Sequence, residues 1–148
     1  MSDLDFYKNL SYSNDIGYVE KNINLNISAS EITKKNILDY GCGVGDATYV
    51  FNKLSPATIT GIDIGESNIH FCENNESFNK NMLFIRADLN DYDLGVKKYD
   101  LIYSDTTIEF LQKDVEYILS DFTGMLGTTG FQVGLQVFRL TSFRGFVA

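Results

Sequence analysis

The chain has 148 residues, 44% hydrophobic and 22% charged, proportions expected of one soluble globular domain and not of a disordered or fibrous protein. A net charge of −8 argues against broad attraction to phosphate backbones or anionic membranes, so no nucleic acid and no membrane is expected as a partner. Two cysteines, Cys42 and Cys72, are too few for a disulfide scaffold and are expected as buried thiols, and the lack of a long apolar run or a basic-then-apolar leader predicts a cytoplasmic chain.

Residues 1–35 mix aromatic with polar side chains, and two short helices are predicted there, Asp3 to Leu10 and Asp15 to Ile23. The second would carry Ile16, Val19 and Ile23 on one face. Ile37 and Leu38 open an apolar run that predicts a first strand over 36–40. Gly41, Gly43 and Gly45 follow at alternating positions, before a helix predicted over 46–54. Glycine permits positive φ and lets a ligand lie directly against the main chain. A strand that feeds such a turn and then a helix start is a nucleotide-type site, because unpaired N–H groups there point at the ligand. A pyrophosphate-binding G-x-G-x-x-G loop would need its third glycine at position 46, where the residue is Asp46. Asp39 and Asp46 flank the turn, so a cationic ligand is favoured over two phosphates. S-adenosylmethionine carries an ammonium and a sulfonium and no phosphate.

Pro56, the only proline, marks the next turn, and the β-branched run Thr58 to Asp63 predicts a second strand ending in an acid. In Rossmann-like folds an acid at this place accepts hydrogen bonds from both ribose hydroxyls, with the neighbouring residue, here Ile64, against the adenine face. Asp63 as a mere turn or helix-capping residue is the plainer alternative. Gly65-Glu66-Ser67 opens a second helix with Ile69, Cys72 and Phe78 as its apolar contacts, and the lone His70 is expected on its surface. Met82 to Asp88 predicts a third strand, again ending in an acid, and Tyr99 to Ser104 a fourth. Thr106-x-x-Glu109 reads as a capping box for a helix that runs through Val115, Ile118, Leu119, Phe122, Met125 and Leu126 and stops at Gly124 or Gly127. Gly130 to Phe138 predicts a fifth strand.

The segment Ile37 to Gly45 resembles the first motif of the class I S-adenosylmethionine-dependent methyltransferases, apolar-apolar-Asp-x-Gly-x-Gly-x-Gly, and Tyr99-Asp100-Leu101-Ile102 resembles that family's [FY]-D-x-[IV] strand. The likeness spans residues 36–138 and implies an α/β fold: a Rossmann-like doubly wound sheet of about five parallel strands with helices on both faces. It implies a helical lid over residues 1–35, with Tyr7, Tyr12 and Tyr18 either lining the cofactor or packing the lid onto the core, and a short tail over 139–148. It also implies that S-adenosyl-L-methionine is held as follows. Asp39 takes the methionine ammonium, Gly41, Gly43 and Gly45 let the backbone approach, Asp63 takes the ribose and Ile64 the adenine face. Asp88 accepts from the adenine amino group and the Leu89 N–H meets a ring nitrogen. No metal is implied.

Ser104-Asp105-Thr106-Thr107 is neither the Asp/Asn-Pro-Pro-Tyr loop of many nucleic-acid and protein amino-methylating members nor a Pro-Cys pair for attack on cytosine. A small-molecule O, N or C acceptor is therefore expected, with Asp105 as the one general base that the motif places. Only ten residues follow Phe138, too few for the helix and two strands that complete a domain of this family. A shortened enzyme, a variant whose open edge is covered by another chain, and a module that binds cofactor or a partner without turnover all stand as readings. Self-association through an uncovered fifth strand is expected.

Overall fold

In the computed structural model the described residues are 16–125, apart from 79, 94, 96–98, 106 and 108–110. They form α1 (Ile16–Asn26), a single 3-10 turn (Ala29–Glu31), β1 (Asn36–Tyr40), α2 (Asp46–Asn52), β2 (Thr58–Asp63), α3 (Glu66–Glu73), β3 (Met82–Arg86), β4 (Leu101–Tyr103) and α4 (Val115–Met125). The strands make one parallel sheet in the order β3-β2-β1-β4. The chain therefore steps outward from β1 through β2 to β3, then crosses back to place β4 on the other side of β1. That reversal opens a crevice at the C-terminal end of β1, the place where open α/β sheets bind their ligands.

Strand periodicity sorts the core. Ile37, Ile59, Leu101 and Tyr103 face one way and pack with Val19, Ile23, Ile27, Ile32, Val50 and Phe51, so that α1 and α2 cover this side. Leu38, Tyr40, Ile62 and Ile102 face the other way, against Ile118 and Phe122 of α4. A parallel sheet is buried on both faces, which is why its strands read as continuous apolar runs instead of alternating ones. Phe51 meets Tyr103 edge-on at 5.2 Å on the first side, and Tyr40 meets Phe122 edge-on at 4.9 Å on the second.

Several predicted boundaries move. The first helix extends from Ile16 to Asn26 instead of stopping at Ile23. Its inner residues Val19 and Ile23 are core, and Tyr18 is 58% exposed. The helix after the glycines stops at Asn52 instead of 54, because the chain turns there into Ser55, whose φ is +53°. Phe78 lies beyond α3, whose last residue is Glu73, and packs on Phe84 with ring centroids 5.2 Å apart. The third strand ends at Arg86, short of Asp88, which belongs to the turn that follows. The fourth strand proper is Leu101–Tyr103, narrower than the predicted Tyr99 to Ser104. Residues 111–114 are not helical, and the last helix starts at Val115. Its start is fixed by Asp114, whose Oδ1 accepts from the Glu116 N–H at 2.8 Å. The capping box at Thr106 and Glu109, the helix from Asp3 to Leu10, Tyr7, Tyr12, the fifth strand and the tail all lie outside the described residues. Among the described residues, no helix is long and apolar enough to cross a membrane.

Candidate functional site

The loop after β1 is shaped by its glycines, with φ of +81° at Gly41, +54° at Gly43 and +84° at Gly45. It is tied to β2 by the Ile62 carbonyl, which accepts from the N–H groups of Gly41 at 2.8 Å and Cys42 at 2.9 Å. The three glycines differ in what surrounds them. A side chain at Gly41 would collide with Thr107, and one at Gly45 would meet the Phe78 ring at 2.8 Å. At Gly43 an added Cβ would meet nothing within 4 Å. Gly43 is thus where the main chain borders open space, a cradle in which a ligand can approach the backbone.

Asp63, at the end of β2, reaches back under this loop. Its Oδ2 accepts from the Gly43 N–H at 3.0 Å, and its Oδ1 accepts from the Gly65 N–H at 2.8 Å and Asn68 Nδ2 at 3.1 Å. A carboxylate oxygen offers about two acceptor positions. Oδ1 is therefore filled and Oδ2 keeps one. Asp63 fixes the turn into α3 and also retains capacity for a ligand hydroxyl; a grip through both oxygens would require one of the present donors to give way. Ile64, half-buried, follows it in the chain.

Asp39 lies in the middle of the sheet, opposite Gly61 on β2 and Tyr103 on β4, and is only 2% exposed. Thr48 Oγ1, on α2, donates to its Oδ2 at 2.7 Å. Burial pushes the Asp39 carboxyl up to about 7, the Thr48 hydrogen bond opposes this, and the charges of Asp63 and Asp105 add to it. The folded chain therefore holds a proton on Asp39 that the unfolded chain releases near its ordinary value of 3.8. Between roughly pH 4 and 7 the native state binds the extra proton, so this group's contribution to stability falls as pH rises through that window and is level above it. Asp39→Asn keeps an acceptor for Thr48 and removes the titration. Urea melts of wild type and variant from pH 4 to 8 are expected to diverge, with the variant gaining on wild type up to about pH 7. A constant difference across that range would contradict the burial of a titrating carboxyl.

Asp88 anchors the turn after β3: its Oδ1 accepts from the Asn90 N–H at 2.9 Å and Asn90 Nδ2 at 3.0 Å. The buried Leu89 turns its carbonyl toward the Tyr40 hydroxyl, 3.4 Å away. Asp105, just past β4, accepts from the Tyr103 hydroxyl at 3.2 Å, and the Thr107 hydroxyl lies 3.3 Å from the Asp105 carbonyl and 3.5 Å from that of Gly41. Asp39, Asp63 and Asp105 thus come from three adjacent strands, with the charges of Asp63 and Asp105 acting on Asp39, whereas Asp88 and Leu89 follow β3 and the chain there returns across the sheet, with Leu89 packed in the cluster of Leu38, Tyr40 and Ile62. Among the described residues, no three or more His, Cys, Asp or Glu side chains are grouped as metal ligands.

Five partners of these residues escape a reading by motif: Thr48, Asn68, Cys72, Tyr103 and Thr107. Thr48 and Asn68 stand out only once the fold is known, as polar side chains that are fully or almost fully buried.

Over residues 33–147 the chain matches the family model described as a methyltransferase domain. The fatty-acid O-methyltransferase of Mycolicibacterium smegmatis is 30% identical over 74 residues, which are 49% of this chain and 27% of that protein. The malonyl-[acyl-carrier protein] O-methyltransferase 2 of Ilyobacter polytropus is 35% identical over 78 residues, 52% of this chain and 30% of that protein. The match therefore spans less than a third of the length of either relative. A crystal structure of an S-adenosylmethionine-dependent methyltransferase from Mesorhizobium loti superposes with a TM-score of 0.65 at 20% identity, over 72% of this chain and 48% of that one, and shows the same fold.

Proposed function

This chain belongs to the methyltransferase domain family, and from that membership we propose that it binds S-adenosylmethionine at the Gly41–Gly45 loop and transfers the methyl group to a small-molecule acceptor. The observation that carries the reading is the open main chain at Gly43, whose N–H is held by Asp63, with Asp63 and Asp105 both close enough to Asp39 for their charges to act on it. Three acidic side chains, one of which a nearby cation would ionise, suit a cation and disfavour a pyrophosphate. When bound, the cofactor supplies a methyl group made electrophilic by its sulfonium, so the protein's task is mainly alignment.

The residues divide that task. Asp39 faces the ammonium end of the ligand, Gly43 lets the backbone approach, and the remaining acceptor position on Asp63 Oδ2 takes a ribose hydroxyl. Ile64 lies along the adenine face, with Asp88 and the Leu89 N–H toward the adenine edge. An ammonium near Asp39 favours its ionised form, so binding expels the Asp39 proton. Affinity for S-adenosylhomocysteine then rises from pH 6 to 8, and Asp39→Asn flattens that rise.

Asp105 is the residue in reach of an acceptor's proton, with the Tyr103 hydroxyl fixing its carboxylate. An acyl oxygen is the first acceptor class to test, because the two curated relatives described above are O-methyltransferases of a fatty acid and of a malonyl-carrier protein. The test is transfer of a radiolabelled methyl group to a long-chain fatty acid, a malonyl thioester and a simple amine. Label on an oxygen acceptor supports the reading. A carboxylate acceptor is already ionised and needs no base, so Asp105→Asn is expected to slow transfer to the amine, which must lose a proton, by about 10²-fold while carboxylate transfer and S-adenosylhomocysteine affinity hold. Cofactor binding without transfer to any of the three would instead favour a binding module.

A further inference from the structure

We infer that Asn68 and Cys72, one turn apart on the inner face of α3, are positioning residues that hold Asp63 and Gly43 in the shape the cofactor site needs, an inference that rests on the function proposed above. Asn68 is 5% exposed and donates through Nδ2 to Asp63 Oδ1 at 3.1 Å. Its other amide atom, Oδ1, is buried with no hydrogen-bond partner among the described residues. The orientation of the amide follows from chemistry: an ionised carboxylate needs a donor, so Nδ2 must face Asp63 and the oxygen must face away. A buried amide oxygen without a partner is a desolvation penalty that a leucine of the same shape would not incur. What the asparagine offers in exchange is the bond that, with the Gly65 N–H, stops the Asp63 carboxylate from turning about its last torsion. Gly65 leaves room for this arrangement, since a side chain there would lie 2.7 Å from Asn68 Nδ2 and 3.0 Å from Asp63 Oδ1.

One turn further along α3, Cys72 is 1% exposed, and its Sγ is 3.6 Å from the Gly43 carbonyl oxygen. Cys42 Sγ lies at the same distance from that oxygen. A hydrogen bond between the two thiols, together with burial, pushes the Cys42 thiol up, so Cys42 remains a neutral S–H donor. Cys72 Sγ also sits 3.2 Å from the Cβ position of Gly45, closing the loop from beneath. Gly43 is thus held at both ends, its N–H by Asp63 and its carbonyl by the S–H of one of the two thiols, while its outer side stays open. Neither Asn68 nor Cys72 needs to touch the ligand for this to matter. Pre-set loops and carboxylates bind more tightly than those that must be ordered on binding.

The test is titration of the full chain with S-adenosylhomocysteine. Asn68→Leu keeps the shape, removes the donor and removes the unpaired oxygen, so its Tm is expected to equal or exceed wild type while affinity falls about 5–10-fold. Asn68→Ala is the second variant, should leucine disturb the fold, with a similar loss expected in its folded fraction. Because Asn68 acts through Asp63, the same substitution in an Asp63→Ala background is expected to change affinity less than about 2-fold. Cys72→Val, which fills the volume without a donor, is expected to weaken binding about 3-fold. Wild-type affinity in Asn68→Leu or Asn68→Ala, or an equal loss with and without Asp63, would overturn the inference. Failure of the wild-type chain to bind at all would overturn the cofactor reading beneath it.

Discussion

Asp63→Ala is expected to weaken S-adenosylhomocysteine binding by about 100-fold or more while leaving a folded chain. The bond from a ribose hydroxyl to a carboxylate is charge-assisted and contributes roughly 1.5–3 kcal/mol. Loss of the side chain also strips the acceptor from the N–H groups of Gly43 and Gly65 and from Asn68 Nδ2, so the loop itself relaxes. That second effect lowers stability by about 1–3 kcal/mol, enough to move Tm by several degrees without unfolding the chain at room temperature. Asp63→Asn does not restore the site, because its amide nitrogen presents donors where at least one present partner also donates. Circular dichroism establishes the fold and titration the affinity. A folded Asp63→Ala chain with wild-type affinity would reduce Asp63 to a turn residue.

Gly43→Val separates ligand from fold more sharply. At a φ of +54° a side chain is strained, by roughly 1–2 kcal/mol or more for a β-branched residue, but its Cβ would meet no protein atom within 4 Å. The variant is therefore expected to fold with reduced stability and to lose S-adenosylhomocysteine binding by about 100-fold, because the valine fills the space that the ligand must enter. Gly41→Ala is the contrast. There the added methyl group runs into Thr107, so the loss begins with the fold and shows first in Tm. Undiminished binding by Gly43→Val would mean that the ligand does not lie against this loop.

The sheet was legible because parallel strands are apolar throughout: Ile37 and Leu38, the β-branched run from Thr58, Met82 to Ile85, and Leu101 to Tyr103 all read as strands and pair as such. Element ends were less legible, for local reasons. Asp88 looked like a strand end, but its carboxylate bonds the main chain two residues on and makes a turn. The helix expected to run on from Thr106 starts only at Val115, where Asp114 supplies the side chain that caps it. The glycine spacing pointed to a loop that a ligand can approach, but not that Gly41 and Gly45 are packed against neighbours and that Gly43 alone of the three faces open space. The acids at the strand ends were visible one by one. What orders them was not: Thr48, Asn68 and Tyr103 lie two to nine residues from the acids they bond but match no motif, and it is the turn of each chain segment that aims their side chains at Asp39, Asp63 and Asp105.

The most direct measurement is isothermal titration calorimetry of the full 148-residue chain with S-adenosylhomocysteine, with NADH as the control ligand. Saturable one-site binding of S-adenosylhomocysteine with no heat from NADH is the predicted result, because acidic side chains lie at the loop and the third glycine of a pyrophosphate-binding loop is replaced by Asp46. A chain that is folded by circular dichroism and binds NADH as well as S-adenosylhomocysteine, or binds neither, would contradict it.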